Sequence, residues 1–105
     1  MDASTDAAAI AQLAKSGKDL SKPQRLQFLL AFETEDGAAS AVAQLDELAF
    51  TSTIEQDDAD GTWVAMAAKT MFPVESDLQG LRQKLEVVAK QNGGKYRGWR
   101  AAPSP

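Results

Sequence analysis

Residues 33 to 61 hold nine carboxylates (Glu33, Glu35, Asp36, Asp46, Glu47, Glu55, Asp57, Asp58 and Asp60) and no lysine or arginine. Closely spaced carboxylates suit three kinds of chemistry: proton transfer between two acids, ligation of a hard cation, and attraction of a basic partner. The cluster Gln56-Asp57-Asp58-Ala59-Asp60-Gly61 invites a calcium loop. Such a loop needs an acid or Asn where Gln56 stands and a bidentate glutamate where Ala67 stands, so the cluster reads as a solvated hairpin tip, with no metal expected. Glu33, Glu35 and Asp36 fall where a strand meets a helix. Compensation of the helix dipole accounts for them without catalysis. That leaves Glu33, Glu35, Asp36, Asp57, Asp58 and Asp60 as candidate contacts to a basic protein segment.

A second constellation has the opposite sign. In Lys95-Tyr96-Arg97-Gly98-Trp99-Arg100 three cations alternate with two aromatic rings, a pattern that can follow a nucleic-acid backbone while bases stack. RNA-recognition modules, however, carry stacking aromatics on the third strand, where this chain has Thr62-Trp63-Val64-Ala65-Met66. Strict alternation would also turn Tyr96 and Trp99 to opposite faces. Lys95, Tyr96, Arg97, Trp99 and Arg100 therefore form the alternative, nucleic-acid reading, while Trp63, Tyr96 and Trp99 are expected to pack. Asn92-Gly93-Gly94-Lys95 imitates a phosphate loop, but it follows a helix C-terminus, where glycine is a stop signal.

The 105 residues contain no histidine and no cysteine. This removes thiolate nucleophiles, disulfides, Cys/His zinc sites and the side chain best suited to proton transfer near pH 7. No enzyme and no cofactor is expected. Of the 44% counted hydrophobic, 19 residues are alanine, which leaves enough large apolar side chains for one small core. The net charge of -4 conceals its distribution. The acidic middle is followed by a terminal third with seven basic and three acidic groups. The acidic N-terminus lacks the pattern of a secretory signal and no apolar run can span a bilayer, so the expectation is a cytoplasmic protein with no membrane partner.

These side chains must be positioned by elements that the patterning makes visible. Residues 4–15 read as a short peripheral helix, with Ser4 or Thr5 as N-cap and a stripe of Ile10, Leu13 and Ala14. Strand residues 24–33 alternate Leu26, Phe28, Leu30 and Phe32 with Gln27, Leu29, Ala31 and Glu33. Thr34 caps a helix over 35–49 whose buried side is expected at Ala39, Val42, Leu45 and Leu48. Residues 50–56 and 62–72 read as strands joined by the acidic hairpin, and the second of them is apolar on both faces. A helix over 75–91 carries Leu78, Leu81, Leu85 and Val88 on one stripe and ends at Asn92-Gly93-Gly94. Lys95 to Arg100 forms the last strand.

The order is a helix, then β-α-β-β-α-β. With right-handed crossovers this is an α+β fold, the ferredoxin-like split βαβ, a four-stranded antiparallel sheet with two helices on one face and the other face bare. Residues 1–22 hold the N-terminal helix and its connection, 23–100 the ferredoxin-like domain, and 101–105 a disordered tail. Leu29, Ala31 and one face of the third strand would leave an apolar patch that the first helix, a second copy of the chain or a partner could cover. A homodimer is accordingly a third reading.

Three stretches together are familiar: Phe32-Glu33-Thr34-Glu35-Asp36, Lys69-Thr70-Met71-Phe72-Pro73 and Gly94-Lys95-Tyr96-Arg97-Gly98-Trp99. In this order and spacing they resemble the regulator of ribonuclease activity B family, the ribonuclease E inhibitor domain, over roughly residues 24 to 100. The resemblance implies a non-enzymatic α+β domain that binds the non-catalytic scaffold region of ribonuclease E. Its activity falls and messenger RNA decay changes, without the regulator touching RNA. It brings no catalytic residues or cofactor. The family's last-strand motif usually has an acid where Arg97 stands.

Overall fold

The structure is a computed structural model that describes residues 2–17 and 21–101. The elements are α1 (Asp2–Lys15), β1 (Gln24–Phe32), α2 (Glu35–Glu47), β2 (Thr51–Gln56), β3 (Trp63–Met71), α3 (Glu75–Gln91) and β4 (Gly94–Ala101). The four strands form one antiparallel sheet in the order β2-β3-β1-β4, the split βαβ arrangement expected from the element order. Ala101 belongs to β4 rather than to a tail. The remaining tail residues, 102–105, lie outside the described residues.

The core lies between the sheet and its helices. Leu26, Phe28, Leu30 and Phe32 of the central strand β1 are fully or almost fully buried. In the middle of the ladder their β3 partners are small, Phe28 facing Ala67 and Leu30 facing Ala65, while Leu26 and Phe32 pair with Lys69 and Trp63. Large side chains on one strand beside alanines on the next leave room for the helices to seat closely. Helix α2 answers in kind with Ala38, Ala41 and Leu45. Phe50 closes the layer edge-on to Phe28, with ring centroids 5.7 Å apart and planes at 81°. The β3 face turned to the helices is therefore Trp63, Ala65, Ala67, Lys69 and Met71. The Lys69 ammonium lies 5.2 Å from the centre of the Phe50 ring.

Three local expectations are corrected. Helix α1 starts at Asp2, so Ser4 and Thr5 lie inside it, and Ala14 is exposed while Leu13 is buried. In α2, Ala39 is exposed and Ala38 and Ala41 are buried. A strict spacing of three drifts by about 60° per step on a helix of 3.6 residues per turn, so Ala39 and Leu48 cannot share a face. Tyr96 and Trp99 do not face opposite ways. Leu29 pairs with Gly98 but Leu30 pairs with Tyr96, so the register shifts by one and Arg97 is the extra residue of a β-bulge. Gly98 accommodates it with φ +110. Tyr96 and Trp99 then both pack against the core.

Helix α1 does not cover the bare face of the sheet. It lies against α3 and β4 on the helix side, and its Leu13 joins the main core. Among the described residues no helix packs over Leu29, Val64 and Met66, which remain half-buried.

Candidate functional site

Phe32, the last residue of β1, pairs with Trp63 at the start of β3 and with Gly94 at the start of β4. Three connections therefore meet at one end of the sheet: the β1–α2 junction, the β2–β3 hairpin and the α3–β4 turn. The topology gathers Glu33, Glu35 and Asp36 at the same end as Asp57, Asp58 and Asp60, although about twenty residues separate the two groups in sequence. Asp57 is half-buried and the other five are exposed.

Each group has a local structural reason. Thr34 is the N-cap of α2, and its hydroxyl oxygen accepts a hydrogen bond from the Gly37 N–H at 3.0 Å. Glu35 and Asp36 occupy the first helical turn, where negative charge meets the positive end of the dipole. In the hairpin, Asp57 Oδ1 accepts from the Ala59 N–H at 2.9 Å, and the Gly61 N–H donates to the Asp57 carbonyl at 2.7 Å. Asp60 Oδ1 accepts from both the backbone N–H and the hydroxyl of Thr62, at 3.0 and 2.7 Å. Asp57 and Asp60 thus build the turn, with Gly61 at φ +74 supplying its left-handed residue. Asp58, Glu33, Glu35 and Asp36 are the carboxylates presented outward.

The acidic and basic constellations also touch. The Arg97 guanidinium lies 3.4 Å from Asp60 Oδ2, so the hairpin tip reaches across to the edge strand β4. Hydrogen bonds from Thr62, first its hydroxyl and then its backbone, hold the Asp60 carboxyl below its ordinary value, and Arg97 adds to the effect. Lys95, Arg97 and Arg100 stand on the bare face. Arg100 Nε donates to Gln27 Oε1 at 2.8 Å, and Lys95 sits opposite Ala31. Tyr96 and Trp99 point into the helix layer instead. The interleaved strip of the sequence becomes a cationic row on one side of β4 and an aromatic row on the other, and the rings are not offered to bases alongside the cations.

Two site features were not read from the sequence. One is the bulge, whose available signal was a glycine inside a strand. The other is Glu55, which the pairing of β2 with β3 places on the bare face beside Val64. There Leu29, Glu55, Val64, Met66, Arg97 and Arg100 line a groove of about 260 Å³. Gly94 also has a structural role. A Cβ at this position would run into the Ala31 carbonyl and the Phe32 ring, so only glycine lets β4 start this close to β1.

The fold and this surface define the class: a small split βαβ α+β domain, open on one sheet face, with a carboxylate-rich end to the sheet. Within that class the assignment is specific. The family model described as regulator of ribonuclease activity B matches residues 3–100, and the chain belongs to that family. No individual curated protein matches it. None of the helices among the described residues is long and apolar enough to cross a membrane.

Proposed function

We propose that this chain is a non-enzymatic, cytoplasmic protein-interaction domain that binds a basic segment of a ribonuclease, in the manner implied for the scaffold region of ribonuclease E, and thereby modulates RNA decay. Membership of a family of regulators of ribonuclease activity supports the partner class. The observation that carries the reading is the convergence of two separate acidic segments on one end of the sheet, with Glu33, Glu35, Asp36 and Asp58 all exposed. An arginine-rich segment crossing that end meets several carboxylates at once. Steering by such a field speeds association and weakens with salt.

The test separates binding acids from turn-building ones. Reversal of Glu35, Asp36 and Asp58 to lysine is expected to abolish pull-down of a ribonuclease scaffold segment and to leave the circular dichroism spectrum intact. Retained pull-down sinks the proposal. Substituting Asp57 or Asp60 is the poorer probe, because each also holds the hairpin together.

A further inference from the structure

We propose that the bare face of the sheet is the interface of a two-fold symmetric dimer of this chain. The argument is independent of the ribonuclease reading. It rests on which residues share a row across the strands of that face. Pairing places Glu55 beside Val64, Val64 beside Ala31, and Ala31 beside Lys95, so one row runs acid, apolar, apolar, base from β2 to β4. The next row is Thr53, Met66, Leu29 and then the Arg97–Gly98 bulge. The third is Thr51, Ala68, Gln27 and Arg100.

A two-fold axis lying in the interface and parallel to the strands keeps every residue in its own row while exchanging the two edges. Glu55 of one copy then stands opposite Lys95 of the other, twice per dimer. Met66 stands opposite Leu29, and Val64 opposite Ala31. Thr53 and Thr51 face Arg97 and Arg100, so no like charges meet. A surface that is complementary to itself under one rotation is what an isologous interface requires. Among the described residues neither Glu55 nor Lys95 is paired within the chain, whereas Arg97 is already held by Asp60.

The size fits a weak dimer. Four strands about 4.8 Å apart and nine residues rising about 3.3 Å each give a face of order 500 Å². Two such faces approach the roughly 1,000 Å² at which specific association begins, the low end where weak and transient complexes sit. Aligned packing of two twisted sheets is the geometry already common in sandwiches.

Sedimentation equilibrium of the full chain between about 1 and 300 µM tests this. A monomer–dimer equilibrium is expected, with Met66→Glu raising the dissociation constant at least about tenfold because it sets a charge at the apolar centre. Glu55→Lys and Lys95→Glu are each expected to weaken the dimer about fivefold, and the two together in one chain to restore it, since the swapped pair again meets its opposite sign. A chain that stays monomeric at 300 µM overturns the proposal, and its bare face is then left to a different occupant. A dimer indifferent to Met66→Glu overturns the choice of face. A double variant weaker than either single one overturns the axis. Circular dichroism of each variant separates loss of association from loss of fold.

Discussion

Replacing Gly98 with alanine probes the bulge that turns Trp99 inward and sends Arg97 to the bare face. Gly98 stands at φ +110, outside the backbone regions that side chains favour, and there is open space around the position where a Cβ would sit. The cost is therefore conformational rather than steric. Holding a non-glycine residue in such a region costs about 1 to 3 kcal/mol. In a domain near 100 residues, 1 kcal/mol moves the melting midpoint by about 4 °C or somewhat more, so Gly98→Ala is expected to lower Tm by roughly 4–12 °C. The bulge also makes a sharper claim. Deleting Arg97 leaves Leu30 opposite Tyr96, Leu29 opposite Gly98 and Phe28 opposite Trp99, a regular antiparallel ladder with both rings still on the core side. Gly98 then has no need of a positive φ. In the deletion background Gly98→Ala is expected to be neutral or to gain up to about 1 kcal/mol, as for an ordinary strand position. The assay is a double-mutant cycle by urea unfolding, followed by near-ultraviolet circular dichroism of the packed tryptophans. Equal costs for Gly98→Ala in the two backgrounds would refute the reasoning, as would a cost below about 0.5 kcal/mol in the parent chain.

Three further outcomes follow from single residues. At the end of α2, Ala49 takes φ +69 while the Phe50 N–H donates to the Leu45 carbonyl and the Ala49 N–H to that of Asp46, a Schellman cap built on alanine. Ala49→Gly is expected to raise stability by about 1 kcal/mol in urea unfolding. The Ser52 hydroxyl is buried without a hydrogen-bond partner among the described residues, so Ser52→Ala is expected to be neutral or to stabilise by about 1 kcal/mol in the same assay. Because the Asp60 carboxyl is held below the unfolded value of 3.8, its contribution to stability is present above about pH 4 and disappears as pH falls through the folded value. Carbon-13 titration of Asp60 is expected to show a midpoint below 3.8, and Thr62→Val to move that midpoint upward.

The order of elements was legible because its signals are local. Leu26, Phe28, Leu30 and Phe32 alternate without interruption, and Thr34 and Asn92-Gly93 mark helix ends through bonds made within a few residues. That Trp63, Tyr96 and Trp99 pack was legible from their size, but that Trp99 shares a face with Tyr96 was not. One extra residue in β4 reverses the alternation, and only the pairing with β1 shows where the chain absorbs it. In α2, alanines at 38, 39, 41 and 43 offer more than one small-residue face, and the sheet rather than the helix decides which one is buried. The split of the charge into an acidic block and a basic end was plain in the sequence. The ion pair between Asp60 and Arg97, 37 positions apart, joins those two blocks, and the topology alone brings it about.

The bulge has a consequence for how the protein behaves in a crowded solution. Strand β4 is one of the two edges of the sheet, and a straight edge offers its open backbone groups to any extended chain that drifts past. The kink at Arg97–Gly98 breaks the regular spacing of those groups, and Lys95, Arg97 and Arg100 line them with like charge on the bare-face side. A second strand cannot lie along the whole edge without losing register at the kink. The residue that disturbs the alternation thus also guards the edge against open-ended strand addition, the route by which small sheet proteins polymerise.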